Sequence, residues 1–355
     1  MVEITLEEQV QLLEAVIKKI EVEEMMSLRD GFPLADARSP SEFENGHIPN
    51  AINLPLLSDE ERIIIGTLYK REGKEMAMDK GLELLGPKAL SLIQQAREIS
   101  PNKKLLLYCW RGGMRSGSLA WLLDLYGFDV YLIRGGYKEY RNHLSSVFEE
   151  KLDLMVLAGY TGSGKTEILH ELKDHGEQVL DLEGLANHRG SAFGSIGLGD
   201  QPANEEFNNN LLEQLSTFDL SKRIWVEDES LSIGKVHIPQ DLYQKMTDAP
   251  RVFINISKEA RAIYLKEVYG DVAPALVVEI IEKIKKRMGG QNVKAALDAL
   301  EHGNIQTVIE LLLSYYDKSY GHALSRKPRI PIHEIDCESV DAELNAKSVL
   351  EWMKK

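Results

Sequence analysis

Residues 159–166 read Gly-Tyr-Thr-Gly-Ser-Gly-Lys-Thr, a full match to G-x-x-x-x-G-K followed by Ser or Thr. Nothing else in the chain restricts the fold so tightly. The apolar run "LDLMVLAG" precedes the match and "EILHELKDHG" follows it with helical spacing. A loop of this kind works only at a strand-to-helix junction, where it curls its N–H groups around phosphate oxygens at the positive end of the helix. Gly159, Gly162 and Gly164 permit the curl, Tyr160, Thr161 and Ser163 contribute backbone N–H groups, Lys165 adds a cation, and Thr166 is placed to hold Mg²⁺. The motif therefore predicts a parallel α/β sheet with a phosphate or diphosphate site. It does not by itself predict ATP hydrolysis, and no adenine pocket is readable.

Further strands are expected at "EQVLDLEG", "KRIWVEDE", "PRVFINIS" and "RIPIHEIDC", with a closing helix at "DAELNAKSVLEWMKK". The fourth and fifth strands are separated by a long helical stretch at about 258–325, which is too large for a linker and reads as a lid or binding module. Upstream, "PLADARS", "KKLLLYC" and "DVYLIRGG" read as short buried strands and "MRSGSLAWLLDLYGF" as a helix, a second β-loop-α-β unit. The first 26 residues place Val10, Leu13, Val16, Ile17 and Ile20 at the spacing of an amphipathic helix. With 355 residues, 43% of them hydrophobic, the chain has room for two domains. No stretch resembles a secretory signal or a membrane span, so a cytoplasmic protein is expected, with no membrane partner.

The net charge of −14 argues against broad adhesion to polyanions. Residues 258–329 are the exception, with 12 Lys and Arg against 9 Asp and Glu. Lys283, Lys285, Lys286 and Arg287 lie there and read as candidate contacts for nucleic-acid phosphates or as a solvated helix face. Tyr315, Tyr316 and Tyr320 read as core or as base-stacking rings. The nine histidines show no metal-ligand spacing, and no bound transition metal is expected.

The two cysteines are Cys109 and Cys337. Cys337 lies in a strand and reads as a buried thiol, or as a resolving partner for Cys109. Cys109 ends an apolar strand just before a helix, in "LYCWRGGMRSGS", where helix-end N–H groups and Arg111 and Arg115 favour a thiolate. Gly112, Gly113, Met114 and Ser116 complete an anion-sized loop. The C-x5-R spacing is that of cysteine phosphatases. Upstream, "DARSPSEFENGHIPNAINLP" resembles the rhodanese signature, in which the loop cysteine carries sulfur as a persulfide and residues at Asp36 and Arg38 brace the fold. Common short rhodanese loops are one residue shorter than this one.

The rhodanese and phosphate-loop segments together resemble the tRNA 2-selenouridine synthase family over nearly the whole chain. The resemblance is carried by "CWRGGMRSGS", "RGGYKEYR", "GYTGSGKTEIL", "LEGLANHRGSAFG", "QPANEEF", "VEDES" with "IGKVHIP", and "YYDKSY". Leu231 and Ser232 depart from it where the family typically has arginine after "VEDES". The resemblance implies an α/β fold with a rhodanese-like domain at 1–140 that includes the N-terminal helix, a linker helix at 141–150, and a P-loop domain at 151–355 whose helical insertion binds tRNA. It implies an enzyme that replaces the sulfur of wobble 2-thiouridine with selenium from selenophosphate, through an S-geranyl intermediate made from geranyl diphosphate. A tRNA bearing that thiouridine is then a partner, an enzyme supplying selenophosphate a further one, and no tightly bound cofactor is needed beyond a role for Mg²⁺. Cys109, Arg111 and Arg115 would handle selenium.

Glu227, Asp228 and Glu229 end the "RIWVEDES" strand, where P-loop proteins keep a metal-ordering carboxylate. Glu227 and Asp228, with Ser230 beside them and His188, Arg189, Ser191 and Phe193 in "NHRGSAFG", form the candidate substrate set beyond the strand ends. The rival readings are a rhodanese-type sulfurtransferase or cysteine phosphatase fused to an ATP-dependent small-molecule kinase, and a nucleotide-gated tRNA-binding module.

Overall fold

A computed structural model describes residues 17–190, 194, 197–269, 272–326 and 332–354. The chain divides into two compact units, Met1–Glu149 and Glu150–Lys355. No helix among the described residues is long and apolar enough to cross a membrane.

The first unit is built on five parallel strands, β1 (Lys18–Ile20), β2 (Leu34–Asp36), β3 (Ile52–Asn53), β4 (Lys104–Tyr108) and β5 (Asp129–Ile133), in the order β1-β5-β4-β2-β3. Leu105, Leu106, Leu107 and Tyr108 are fully buried. An unbroken apolar run of this kind belongs to a central parallel strand covered on both faces. Lys18–Ile20 was expected in a helix but forms β1, pairing in register with residues 131–133 of β5. Pairing with an open sheet edge wins over helical spacing here, and the helix proper begins at Val22. Residues 1–16 of the expected helix lie outside the described residues. Three helices not anticipated from the sequence, Asp59–Arg71, Lys74–Leu85 and Ala89–Ile99, separate β3 from β4. The helix Gly136–Glu149 starts within the stretch assigned to the first domain and buries Tyr137 and Tyr140.

The second unit has β6 (Leu154–Gly159), β7 (Gln178–Leu180), β8 (Ile224–Glu227), a small hairpin of β9 (Ser232–Ile233) and β10 (Val236–His237), β11 (Arg251–Ile256) and β12 (Ile332–Cys337). The five long-range partners are all parallel, in the order β12-β11-β6-β8-β7, so the strand feeding the phosphate loop is central. β7 ends earlier than the pattern "EQVLDLEG" suggests. Asp181 caps the short helix Leu182–Ala186 by accepting from the Gly184 N–H at 2.7 Å, which turns the chain out of the sheet. Between β11 and β12 stand the helices Lys258–Tyr269, Pro274–Met288, Gly290–Glu301 and Ile305–Arg326. They have an apolar core of their own, including Val277, Ile280, Ile281, Val308 and Leu312.

Candidate functional site

Gly159 ends β6 and Lys165 opens the helix Lys165–Asp174, so the glycine loop sits at the strand-to-helix junction that its mechanism needs. Gly162 has φ +80°, and a Cβ there would lie 2.8 Å from the side chain of Leu265, so both backbone and space require glycine. Lys165 Nζ donates to the Gly159 carbonyl at 3.3 Å, folded along the loop it serves. Arg261, buried at 2% exposed, donates to the Thr161 carbonyl at 3.0 Å and pairs with both oxygens of Asp317 at 3.0 and 2.9 Å. The loop is thus tied to the helical insertion by one guanidinium.

Thr166 Oγ1 lies 2.7 Å from Glu227 Oε1 and 2.9 Å from Glu183 Oε2. One hydroxyl proton serves one carboxylate, so the arrangement needs a second proton on the acids. Glu183 and Glu229 also share a hydrogen bond, which makes the same demand. Burial pushes all three carboxyls up from their ordinary values, Glu229 to about 8, with repulsion from Glu183 adding to it at Glu227 and Glu229 and Lys165 opposing it at each. Glu227 Oε2 is buried with no hydrogen-bond partner among the described residues. Oxygens of the three glutamates lie within 4.8 Å of one another. Such an all-oxygen set suits a hard divalent cation.

Of the three acids closing β8, Glu227 meets the loop threonine while Asp228 turns elsewhere. It accepts from Tyr320 Oη at 2.6 Å and lies 3.7 Å from Arg251 Nε. Burial and the Asp228 charge push the Tyr320 phenol up. Tyr320 also stands edge-on to Tyr160, with ring centroids 5.7 Å apart.

A cavity of about 380 Å³ opens from the loop, within the usual range of small-molecule sites. Its polar lining is made by the loop, Glu183, Arg189, Asp228, Glu229 and Ser230. The insertion adds an apolar wall through Leu265, which lies against Gly162, and Val277, Ile305, Val308, Ile309 and Leu312. Arg189, which donates to Tyr269 Oη at 3.4 Å, lines the cavity together with that tyrosine. His188 turns its Nδ1 into the interior without a partner among the described residues, and burial lowers its pKa. Ser191 and Phe193 lie outside the described residues.

In the first unit, Cys109 follows β4 and is 3% exposed, its sulfur accepting from Ser116 Oγ at 3.1 Å. Gly136 holds the loop down from outside. It has φ +60°, a Cβ there would fall 2.1 Å from the Cys109 carbonyl, and the next N–H, of Tyr137, donates to that carbonyl at 2.9 Å. Arg115 pairs with Glu42 at 2.5 Å, so its charge is shared with a carboxylate, whereas Arg111, Gly113 and Met114 are exposed. Asp36 and Arg38 form a buried pair at 2.7 Å, and the Arg38 guanidinium stacks 4.0 Å from the Tyr137 ring centroid. That pair joins β2 to the helix carrying Tyr137 beneath the cysteine loop.

The tRNA candidates divide. Lys283, Lys285, Lys286 and Arg287 stand exposed on the helix Pro274–Met288. Tyr315 and Tyr316 instead pack half-buried against the insertion core, Tyr316 lines the cavity, and Tyr320 is spent on Asp228. A helix-spaced tyrosine stripe here faces inward, because the same face carries Leu312 and Leu313. Glu183, Arg261 and the apolar wall belong to the site without any motif to mark them. Only the wall left a trace, since Val308, Ile309, Leu312, Leu313 and Tyr316 are more apolar positions than one helix face needs for a core.

One family model, described as "Rhodanese-like domain", matches residues 19–143, and another, described as "tRNA 2-selenouridine synthase AAA domain", matches residues 152–350. The tRNA 2-selenouridine synthase of Shewanella denitrificans is 35% identical over 350 residues, covering 88% of this chain and 94% of the relative. That of Nitrosomonas europaea is 40% identical over 246 residues, covering 67% of this chain and 63% of the relative, so this match spans just under two thirds of that protein's length. A solved N-terminal domain of an ATP/GTP binding protein from Clostridium difficile 630 is 41% identical and covers 36% of this chain and 98% of that one, with a TM-score of 0.34. The first unit is rhodanese-like and the second a P-loop α/β domain, the fold class that the motifs led to.

Proposed function

The chain belongs to the tRNA 2-selenouridine synthase family, and from that premise we propose that it replaces the sulfur of wobble 2-thiouridine in tRNA with selenium from selenophosphate, by way of an S-geranyl intermediate formed from geranyl diphosphate. The observation that carries this reading is the mixed lining of one cavity, in which the phosphate loop and an apolar wall of the same unit stand together. A nucleotide would need polar contacts for its base and ribose along that wall. A prenyl tail needs none.

In the first step, loop N–H groups and Lys165 hold the diphosphate and stabilise the charge that grows on it as the allylic C–O bond breaks. The thiouridine sulfur attacks that carbon, and a C–S bond replaces the C–O bond. The apolar wall keeps the tail dry and the reacting carbon aligned at the loop. Thr166, Glu183, Glu227 and Glu229 would hold Mg²⁺, which supplies charge neutralisation for a diphosphate when bound. In the second step, the loop of Cys109, Arg111, Gly112, Gly113 and Arg115 receives selenophosphate, whose selenium attacks the base carbon, forming a C–Se bond as the C–S bond breaks and geranyl thiolate leaves; water then cleaves the P–Se bond and releases phosphate. Exposed Lys283, Lys286 and Arg287 would meet tRNA phosphates, with Lys285, which pairs with Glu282 at 2.5 Å, beside them.

The test is mass analysis of nucleosides from 2-thiouridine tRNA incubated with the protein, geranyl diphosphate and selenophosphate under reducing conditions. S-geranyl and 2-seleno nucleosides are the expected products. Absence of both overturns the reading.

A further inference from the structure

The cavity beside the phosphate loop carries a polar pair that a diphosphate and an apolar tail do not call for. Glu167, in the first turn of the helix Lys165–Asp174, lines the cavity and stands exposed. One of its oxygens accepts from Tyr264 Oη at 2.9 Å. The other has no hydrogen bond among the described residues and lies against the loop, 3.8 Å from where a Cβ on Gly164 would stand. A carboxylate in that place repels a diphosphate and gains nothing from hydrocarbon. It is also outside the set of three glutamates whose oxygens converge near Thr166. An acid in the first turn suits the helix dipole, but that needs neither the Tyr264 phenol nor the guanidinium beside it.

Arg189 is that guanidinium. It too lines the cavity and stands exposed, donating to Tyr269 Oη at 3.4 Å with its Cζ 6.0 Å from the centre of the Tyr269 ring. The Tyr269 hydrogen bond pushes the Arg189 pKa up, and the charges of Glu167 and Tyr264 add to it, so the four side chains act on one another as a group. Tyr264 and Tyr269 belong to the helix Lys258–Tyr269 of the insertion and are half-buried.

A 2-thiouracil ring presents an N–H at N3, next to the carbon that bears sulfur, and a carbonyl at C4 beyond it. An ionised Glu167 can only accept and Arg189 can only donate, which is the complement of that edge. Unstacked bases in RNA are read in this way, with aromatic rings and guanidinium planes around them. We infer that Glu167 and Arg189 read the Watson–Crick edge of the thiouridine, Glu167 accepting from N3–H and Arg189 donating to the C4 carbonyl. The pair then admits 2-thiouridine and turns away 2-thiocytidine, whose N3 accepts and whose C4 amino group donates. The inference rests on the reading of this cavity as the place where the tRNA sulfur meets a prenyl diphosphate.

The experiment is geranyl transfer, read as kcat/KM by mass analysis, to two anticodon stem-loop RNAs that differ only in carrying 2-thiouridine or 2-thiocytidine at the wobble position. Binding of inorganic pyrophosphate and thermal melting are measured for the full-length chain and each variant alongside. The parent chain is expected to prefer the thiouridine RNA by about 10²-fold, with about tenfold from each charged hydrogen bond. A glutamine amide can turn to donate or to accept, so Glu167→Gln and Arg189→Gln are each expected to cut the preference about tenfold while pyrophosphate affinity holds. Arg189→Gln, at an exposed position outside any helix or strand, decides the matter if Glu167→Gln fails to fold. A parent chain that serves both RNAs equally, or a preference unchanged in the folded variants, overturns the assignment and leaves the cavity reading in place. A tenfold fall in pyrophosphate affinity in Arg189→Gln would give that guanidinium to the diphosphate and overturn the pair. A parent chain that geranylates neither RNA overturns the cavity reading, and the inference with it.

Discussion

Replacing Lys165 by alanine removes the loop's cation while leaving its backbone N–H groups in place. Lys165→Ala is expected to lower S-geranyl product by about 10²–10³-fold, the range for losing one electrostatic stabiliser, while Cys109→Ala stops selenation and spares geranylation. Quantifying both nucleosides in each variant checks the division; equal loss of both products in both variants would refute it. The glutamates give a second prediction. Glu229 takes up a proton on folding, since its folded value of about 8 exceeds the ordinary carboxyl value of 4.5. Its contribution is therefore intact at low pH and is lost as pH rises through that window. In metal-free buffer, urea melts at pH 5 and 8 should show stability falling, and Glu229→Gln should reduce the fall by about 1–3 kcal/mol, allowing for screening at a partly exposed group. A fall that is the same in Glu229→Gln would remove the glutamate from the account. At this scale the sequence was most informative where one residue type has one use. The loop glycines, Lys165, Thr166 and Cys109 announce themselves by spacing, whereas Glu183 lies 17 residues beyond Thr166 with nothing around it to mark a buried acid.

At the scale of elements, the pressure point is where the turn before the helix Gly136–Glu149 meets the cysteine loop. Gly136→Ala forces a Cβ into the Cys109 carbonyl and a left-handed backbone onto alanine. The substitution is expected to destabilise the first unit by about 2–4 kcal/mol and to change the rate at which an alkylating reagent reaches Cys109. An unchanged rate and melting curve would show that the loop yields at no cost. The phrase "RGGYKEYR" carried family resemblance at the sequence level, but its geometric role depends on a contact between Gly136 and Cys109, which linear spacing does not encode. Strands were readable where they are central and wholly apolar, as in β4 and β6. The three-residue β1 was not, because edge pairing with β5, rather than its own composition, makes it a strand.

For the whole molecule, division into two units sets the range of a mutation's effect. Leu107 is fully buried in the core of the first unit. Leu107→Ala is expected to cost about 2–5 kcal/mol, and native-state hydrogen exchange should accelerate in Met1–Glu149 while Glu150–Lys355 keeps its protection. Equal acceleration in both would mean that the chain unfolds as one cooperative body. The order of the two domains could be read from motif order alone. The apolar wall of the cavity could not, since it is assembled from ordinary core residues about 100 to 150 positions beyond the loop.

The helical insertion leaves and re-enters the sheet between β11 and β12, adjacent parallel strands whose pairing is continuous over six residue pairs. Substitutions and length changes in the insertion can therefore accumulate without disturbing the strands that present the phosphate loop. The polar and the apolar lining of the cavity are on separate stretches of chain. A change in the insertion therefore reaches the phosphate loop through a few contacts, Arg261 on the Thr161 carbonyl, Leu265 against Gly162 and Tyr320 on Asp228.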